Sequence, residues 1–284
     1  IKPGEHFQGW SHTLNSGLLS DRAAGPAPFH QIICGSVAGS WWSGDFNDAI
    51  VPESIQRLGA PKGYLIFEFD GTNYTETFKV PDKPIDVQMS LDILTPEFEQ
   101  WYRTLAAWAN TRPEPDDIPP VNINDLPDTK IIPLGTDAVL SANVWNGARD
   151  SKVVASFDGG DAATMQRTQP GVGENIMETL DPAALKRQMM IARFAYATNS
   201  TETRANGFEL FKGMSLKGTP RPLPGFFWAD QSSHVWQLPI PSDLAIGAHV
   251  VTVSFEDGYG QVFESTMVFE VAEERPAQFY ETQS

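Results

Sequence analysis

One cysteine, Cys34, stands in a chain of 284 residues. An internal disulfide is therefore impossible, and a cysteine-rich metal site is excluded with it. Histidine is nearly as scarce, with only His6, His12, His30, His234 and His249. No stretch approaches the ~18 consecutive apolar residues of a membrane span, and no charged start leads into an apolar run as in a signal peptide. Basic residues are outnumbered, 20 against 36 acidic, for a net charge of −16. Such a surface repels phosphate backbones and anionic membranes, so nucleic acid is a poor partner class. No serine sits in a G-x-S-x-G elbow, which disfavours serine-triad catalysis.

What is present is apolar and aromatic content, 41% and 11%, enough for about two domains with cores of their own. The 22 prolines and 23 glycines are spread without a period, which suits short strands joined by turns. A mainly β or α+β protein is expected. The chain opens on Ile1 rather than Met, so we expect a fragment of a larger protein.

Residues 1–29 lack helical or strand periodicity and read as loop. A short apolar strand follows from His30 to Cys34, then an aromatic, glycine-rich loop from Ser40 to Phe46. Strand-like runs at Tyr64 to Phe69 and Tyr74 to Val80 flank Asp70-Gly71-Thr72-Asn73 and predict a hairpin. Thr95-Pro96 offers an N-cap with proline at the first helical position. Phe98, Trp101, Leu105 and Trp108 then recur at helical spacing, predicting an amphipathic helix that ends near Asn110.

From Thr111 to Asp128 the chain carries five prolines and four aspartates with little apolar content, the composition of a linker. We expect domains over 1–112 and 129–284, with a Pro/Asp-rich linker over 113–128. Beyond it, AVLSANVWN, SKVVASFDGG, ATMQRTQ, SSHVWQLPI, GAHVVTVSFED and QVFESTMVFEV read as strands, with turns at Asp158-Gly159-Gly160-Asp161 and Asp257-Gly258-Tyr259-Gly260. The number and spacing of these strands suggest an immunoglobulin-like β-sandwich in which an edge strand could still be hidden. One helix interrupts the pattern, from Asp181-Pro182 through Ala197, with Leu185, Met189, Ala192 and Tyr196 on one face.

Few residues bear chemistry. His6 and His12, with Glu5 nearby, could bind a divalent ion if a carboxylate joined them. Asp45 and Asp48 beside Trp41 and Trp42 could line a cleft suited to a pyranose ring, or the tryptophans could simply cover a sheet edge. His234 and His249 fall inside strands, where a packed or rim histidine is expected. Cys34, in an apolar strand, reads as core. Trp41, Trp42 and Trp236 are candidates for surface recognition.

HQIICGSVAGSWWSGDF and GAPKGYLIFEFDGTNYTETFKV, followed by PPVNINDLPDTK, NVWNGARDSKV, DPAALKRQMMIARFAYATNS, RANGFELFKG and SHVWQLPIPSDLAIGAHVVTVSFEDGYGQVF, resemble the C-terminal region of secreted bacterial calcineurin-like metallophosphoesterases. The resemblance implies the tail of a calcineurin-like α/β sandwich, then an immunoglobulin-like β-sandwich with one inserted helix. It implies a two-metal centre that activates water against a phosphoester in a full-length parent, with a periplasmic or secreted location. Of that family's three upstream ligand motifs, Asp-x-His and Gly-Asn-His-Glu are not found in the chain, and the Gly-Asp pairs Gly44-Asp45 and Gly160-Asp161 stand without them. The fourth, Gly-His-x-His, would match Gly9-Trp10-Ser11-His12, leaving His12 as the one candidate metal ligand and an indole, which does not coordinate hard cations, in the other place. On this reading the phosphoester substrate meets the upstream catalytic portion, the fragment itself binds no divalent metal, and Trp41, Trp42 and Asp45 are the candidates for substrate contact. The strands after His30 would need cover along their edge, from a partner copy or by sheet-edge pairing. The alternative is a non-catalytic carbohydrate- or protein-binding β-sandwich module. A third reading is a phosphoesterase relative that has lost its chemistry.

Overall fold

The computed structural model describes residues 10–14, 29–33, 37, 56, 58–111, 120, 128–169, 181, 182, 185 and 232–274. Strands β1 (Trp10–Leu14) and β2 (Phe29–Ile33) pair antiparallel, with His12 opposite Gln31. The opening segment thus contains a strand where its sequence reads as loop. WSHTL alternates weakly, and pairing with β2 rather than local pattern defines it.

A hairpin follows, β3 (Tyr64–Asp70) and β4 (Asn73–Lys79). Gly71, at φ +63°, stands first in its two-residue turn, where glycine adopts positive φ at no steric cost. Then come β5 (Met89–Leu94) and helix α1 (Pro96–Asn110). The helix starts as expected: the Phe98 N–H donates to Thr95 Oγ1 at 3.2 Å. Its buried Phe98 and Trp101 stack with ring centroids 6.2 Å apart, and Phe98 joins Leu94 and Leu185 in one apolar cluster.

The remaining strands are β6 (Ile131–Pro133), β7 (Val139–Val144), β8 (Lys152–Phe157), β9 (Ala163–Thr164), β10 (Gln166–Arg167), β11 (Val235–Pro239), β12 (Gly247–Glu256) and β13 (Val262–Ala272). They form a four-stranded sheet in the order β10-β11-β7-β5 and a five-stranded sheet in the order β6-β13-β12-β8-β9. All pairings are antiparallel except β6 with β13. The core lies between the sheets: Ile93, Leu140, Ala142 and Trp236 from one side meet Val153, Ala155, Val251, Val253, Phe255 and Phe269 from the other. Period-two alternation does this, since Leu140 and Ala142 face inward while Ser141 and Asn143 take the opposite face.

Three further features differ from the sequence expectation. β5 precedes the proline-rich segment yet pairs with β7 along its length, Met89 opposite Val144 to Leu94 opposite Val139. Edge strand β6 is added. ATMQRTQ divides into β9 and β10, which belong to different sheets, because buried Met165 turns the chain from one sheet to the other. Of the proline-rich segment, only Thr111, Pro120 and Asp128 are described. Of the helix expected over 181–197, residues 181, 182 and 185 are described, the Leu185 N–H donating to the Asp181 carbonyl at 3.0 Å. The rest of that helix lies outside the described residues.

Candidate functional site

The hairpin is fastened to the sandwich by polar side chains that meet at the β12–β13 turn. Asp257 organises that turn: its Oδ1 accepts the N–H groups of Tyr259 and Gln261, and its Oδ2 accepts Gln261 Nε2. So held, Gln261 Nε2 also donates to the Glu76 carbonyl at 3.1 Å, while its Oε1 accepts the Thr77 hydroxyl at 3.3 Å. Asn146, just past β7, donates to Glu76 Oε1 at 3.4 Å. Tyr74 packs on Tyr259 and Phe78 on Trp145, with centroids 5.9 and 6.0 Å apart. Burial pushes the Tyr259 phenol well above its ordinary range, and the Glu76 carboxylate adds to the effect.

A second polar centre lies at the start of β11. His234 is fully buried, and the Val144 N–H donates to its carbonyl at 2.9 Å. Neither ring nitrogen makes a hydrogen bond of good geometry. Burial pushes its pKa down to about 3, the Arg167 charge adds to this, and only the Gly147 backbone works against it. Arg167 donates from Nε to the Ser233 carbonyl at 2.7 Å and lies over the Trp236 ring, 5.4 Å from the centroid. Gly147 is required beneath that ring, since a Cβ there would stand 2.6 Å from Trp236.

The third centre pins the β8–β9 turn. His249 Nδ1 lies 2.6 Å from Asp158 Oδ2 and its Nε2 2.7 Å from the Ala245 carbonyl, while Asp158 Oδ1 accepts the Val250 N–H at 2.8 Å. The Asp158 hydrogen bond, with the Ala245 carbonyl, raises the pKa of His249. The His249 hydrogen bond and the Val250 N–H lower that of Asp158. His249 is covered by its neighbours, Phe269 among them, but stands at the rim close to bulk water.

Against these centres, the residues singled out by sequence fare unevenly. Trp41, Trp42, Asp45, Asp48, Cys34, His6 and Glu5 lie outside the described residues. His12 is placed in β1, and no described centre includes it. Trp236 is a correction: it is 2% exposed in the core, so it offers no recognition surface. His234 and His249 are packed and rim histidines, as their strand positions implied. Gln261, Glu76 and Arg167 were not foreseen. The Asp257-Gly258-Tyr259-Gly260 turn was legible, but not the partner that its next residue would reach.

The described strands from β3 through β10 fall within residues 32–213, the span over which the chain matches the family described as the C-terminal of calcineurin-like phosphoesterase, and the span opens at the end of β2. The chain belongs to that family. No curated protein and no solved structure matches it. The β11, β12 and β13 strands of this phosphoesterase C-terminal chain lie past the end of the matched span.

A metallophosphoesterase centre needs several converging carboxylates and imidazoles. Among the described residues no three His, Cys, Asp or Glu side chains converge, and the buried His234 is faced by a guanidinium rather than by carboxylates. The described donor set does not fit such a centre. Among the described residues no helix is long and apolar enough to cross a membrane.

Proposed function

We propose that this chain is the C-terminal part of a calcineurin-like metallophosphoesterase, in which a two-metal centre of the full-length parent hydrolyses a phosphoester and the β-sandwich is accessory. The observation that carries this reading is the family match over residues 32–213, which runs from β2 through the hairpin and α1 into the sandwich. The hairpin clamp at Gln261 supports the accessory role, because it ties the segment before α1 rigidly to the last two strands.

We further propose that the sandwich is immunoglobulin-like. Its strands in chain order, β5, β7, β8, β10, β11, β12 and β13, take the places A, B, C, D, E, F and G, giving sheets ABED and CFG. The inserted helix then falls between D and E. His12 as a metal ligand, Trp41, Trp42 and Asp45 as substrate contacts, and a periplasmic or secreted location belong to the same proposal and rest on the family resemblance. Elemental analysis tests it: metal should copurify with the parent in about twofold molar amount and be lost on removing the upstream portion. A parent without bound divalent metal would refute it.

A further inference from the structure

Where β7 and β10 end and β11 begins, hydrogen-bond donors collect without acceptors. Arg167 stands opposite Trp236 in the β10–β11 register, and the bond from the Val144 N–H to the His234 carbonyl extends the β7–β11 ladder by one pair. Alternation then puts His234, Trp236 and Arg167 on one side of the sheet. Gly147, whose Cβ would stand 2.6 Å from the Trp236 ring, brings the β7–β8 loop to the same place, and that loop carries Arg149.

These groups are only partly satisfied by the protein. Arg167 is half-buried, and its Nε is taken by the Ser233 carbonyl at 2.7 Å. No carboxylate forms an ion pair with it, although the chain has 36 acidic residues. Burial, and then the Arg149 charge, hold its guanidinium below the ordinary arginine range, and Asp150 works against them. Asp150 does not neutralise the two arginines: its side chain is 83% exposed and lies 3.8 Å from Arg149 Nε. His234 is 2% exposed, and neither ring nitrogen has a hydrogen-bond partner of good geometry. A neutral imidazole keeps one N–H to donate, and buried donors are normally satisfied. The acceptor that suits all three side chains is an anion. Two guanidinium groups against one carboxylate make this corner positive on a molecule of net charge −16.

We propose that Arg167, Arg149 and His234 form a binding site for a small tetrahedral oxyanion, a sulfate or phosphate group, held by the guanidinium Nη groups with the His234 N–H as the neutral donor on its buried side. The planar fork of arginine meets such oxygens two at a time. Donors from β10, from the β7–β8 loop and from the start of β11 arrive from different directions. A tetrahedral group offers oxygens to each, whereas both oxygens of a carboxylate lie in one plane. The site lies within the sandwich and does not rest on hydrolysis by the parent.

The test is calorimetric titration of the intact chain with sodium sulfate, inorganic phosphate and acetate, with chloride holding the ionic strength at about 0.15 M. It is repeated on Arg149→Gln, Asp150→Asn and Arg167→Lys. Arg149 and Asp150 are exposed enough for their variants to fold, which melting confirms. We expect saturable binding of both tetrahedral anions, and acetate weaker by about tenfold or more. Phosphate binding tighter than sulfate would mark a phosphate group as the ligand, and the reverse a sulfate group. Arg149→Gln should weaken binding about threefold and Asp150→Asn tighten it by as much. Arg167→Lys keeps the charge but loses the fork, and should weaken binding about tenfold. On saturation the His234 ring nitrogens should shift in ¹⁵N spectra. Any of four outcomes overturns the proposal: no saturable heat with either tetrahedral anion, acetate binding as tightly as sulfate, both arginine variants binding like the parent chain, or His234 ring signals that do not move.

Discussion

Gly59 is the residue at which backbone and side-chain demands coincide. Its φ of +98° disfavours any side chain, and a Cβ would stand 2.2 Å from Asp181 Oδ1 and 2.8 Å from Asn143 Nδ2. Asn143 Nδ2 meanwhile donates to the Leu58 carbonyl at 2.7 Å, tying this turn to β7. Gly59→Ala should therefore cost about 2 kcal/mol or more, read as a lowered urea midpoint.

Two histidines give opposite pH dependences. For His234 the folded pKa is below the unfolded one, so the unfolded chain binds the extra proton and stability falls as pH drops from about 6.5 towards 3. His234→Leu should flatten that decline. For His249 the folded pKa is raised, so its contribution is full below about 6.5 and lost as pH rises through the raised value. For Asp158 the folded pKa is lowered, so its contribution is full above about 4 and lost as pH falls through the lowered value. Asp158→Asn keeps an acceptor for the Val250 N–H and tolerates the φ of +52°. It should destabilise by about 1 kcal/mol or less near pH 5.5, because the pair stands at the rim, and by less still at pH 9. Melting temperatures across that range check both variants.

Among the elements, the hairpin is attached in part through the Gln261 side chain. Gln261→Ala removes the bonds to the Glu76 carbonyl and the Thr77 hydroxyl. Amide exchange in β4 should then quicken several-fold while β7, whose bonds lie inside the four-stranded sheet, stays protected. Unchanged β4 exchange would show that the aromatic contacts suffice. The elements that could be read from sequence are those with local signals: α1 from Thr95-Pro96 and its apolar spacing, β3–β4 and β12–β13 from their turns, β8 from Val153 and Ala155 alternating with wetter neighbours. β5 was missed because MSLDIL has no turn signal before it and reads as the approach to a helix. β6 was missed because three residues of edge strand have no period. Both exist through long-range pairing, which a local pattern does not contain. The centres were legible by half, since His234 and His249 were noticed, but not the burial and the Arg167 charge that lower the pKa of the first, nor the Asp158 hydrogen bond that raises that of the second.

At the scale of the whole molecule, the β-sandwich has its own core, and the segment before α1 is built into it through β5 and the hairpin clamp. On the proposed function, hydrolysis belongs to the parent rather than to this chain. The most direct measurement is the rate of hydrolysis of an aryl phosphodiester with added Mn²⁺, for the full-length parent and for this chain at equal concentration. Turnover is expected from the parent, and from this chain a rate no higher than with Mn²⁺ alone. Metal-dependent turnover by this chain would contradict it and would place a complete hydrolytic site within these 284 residues.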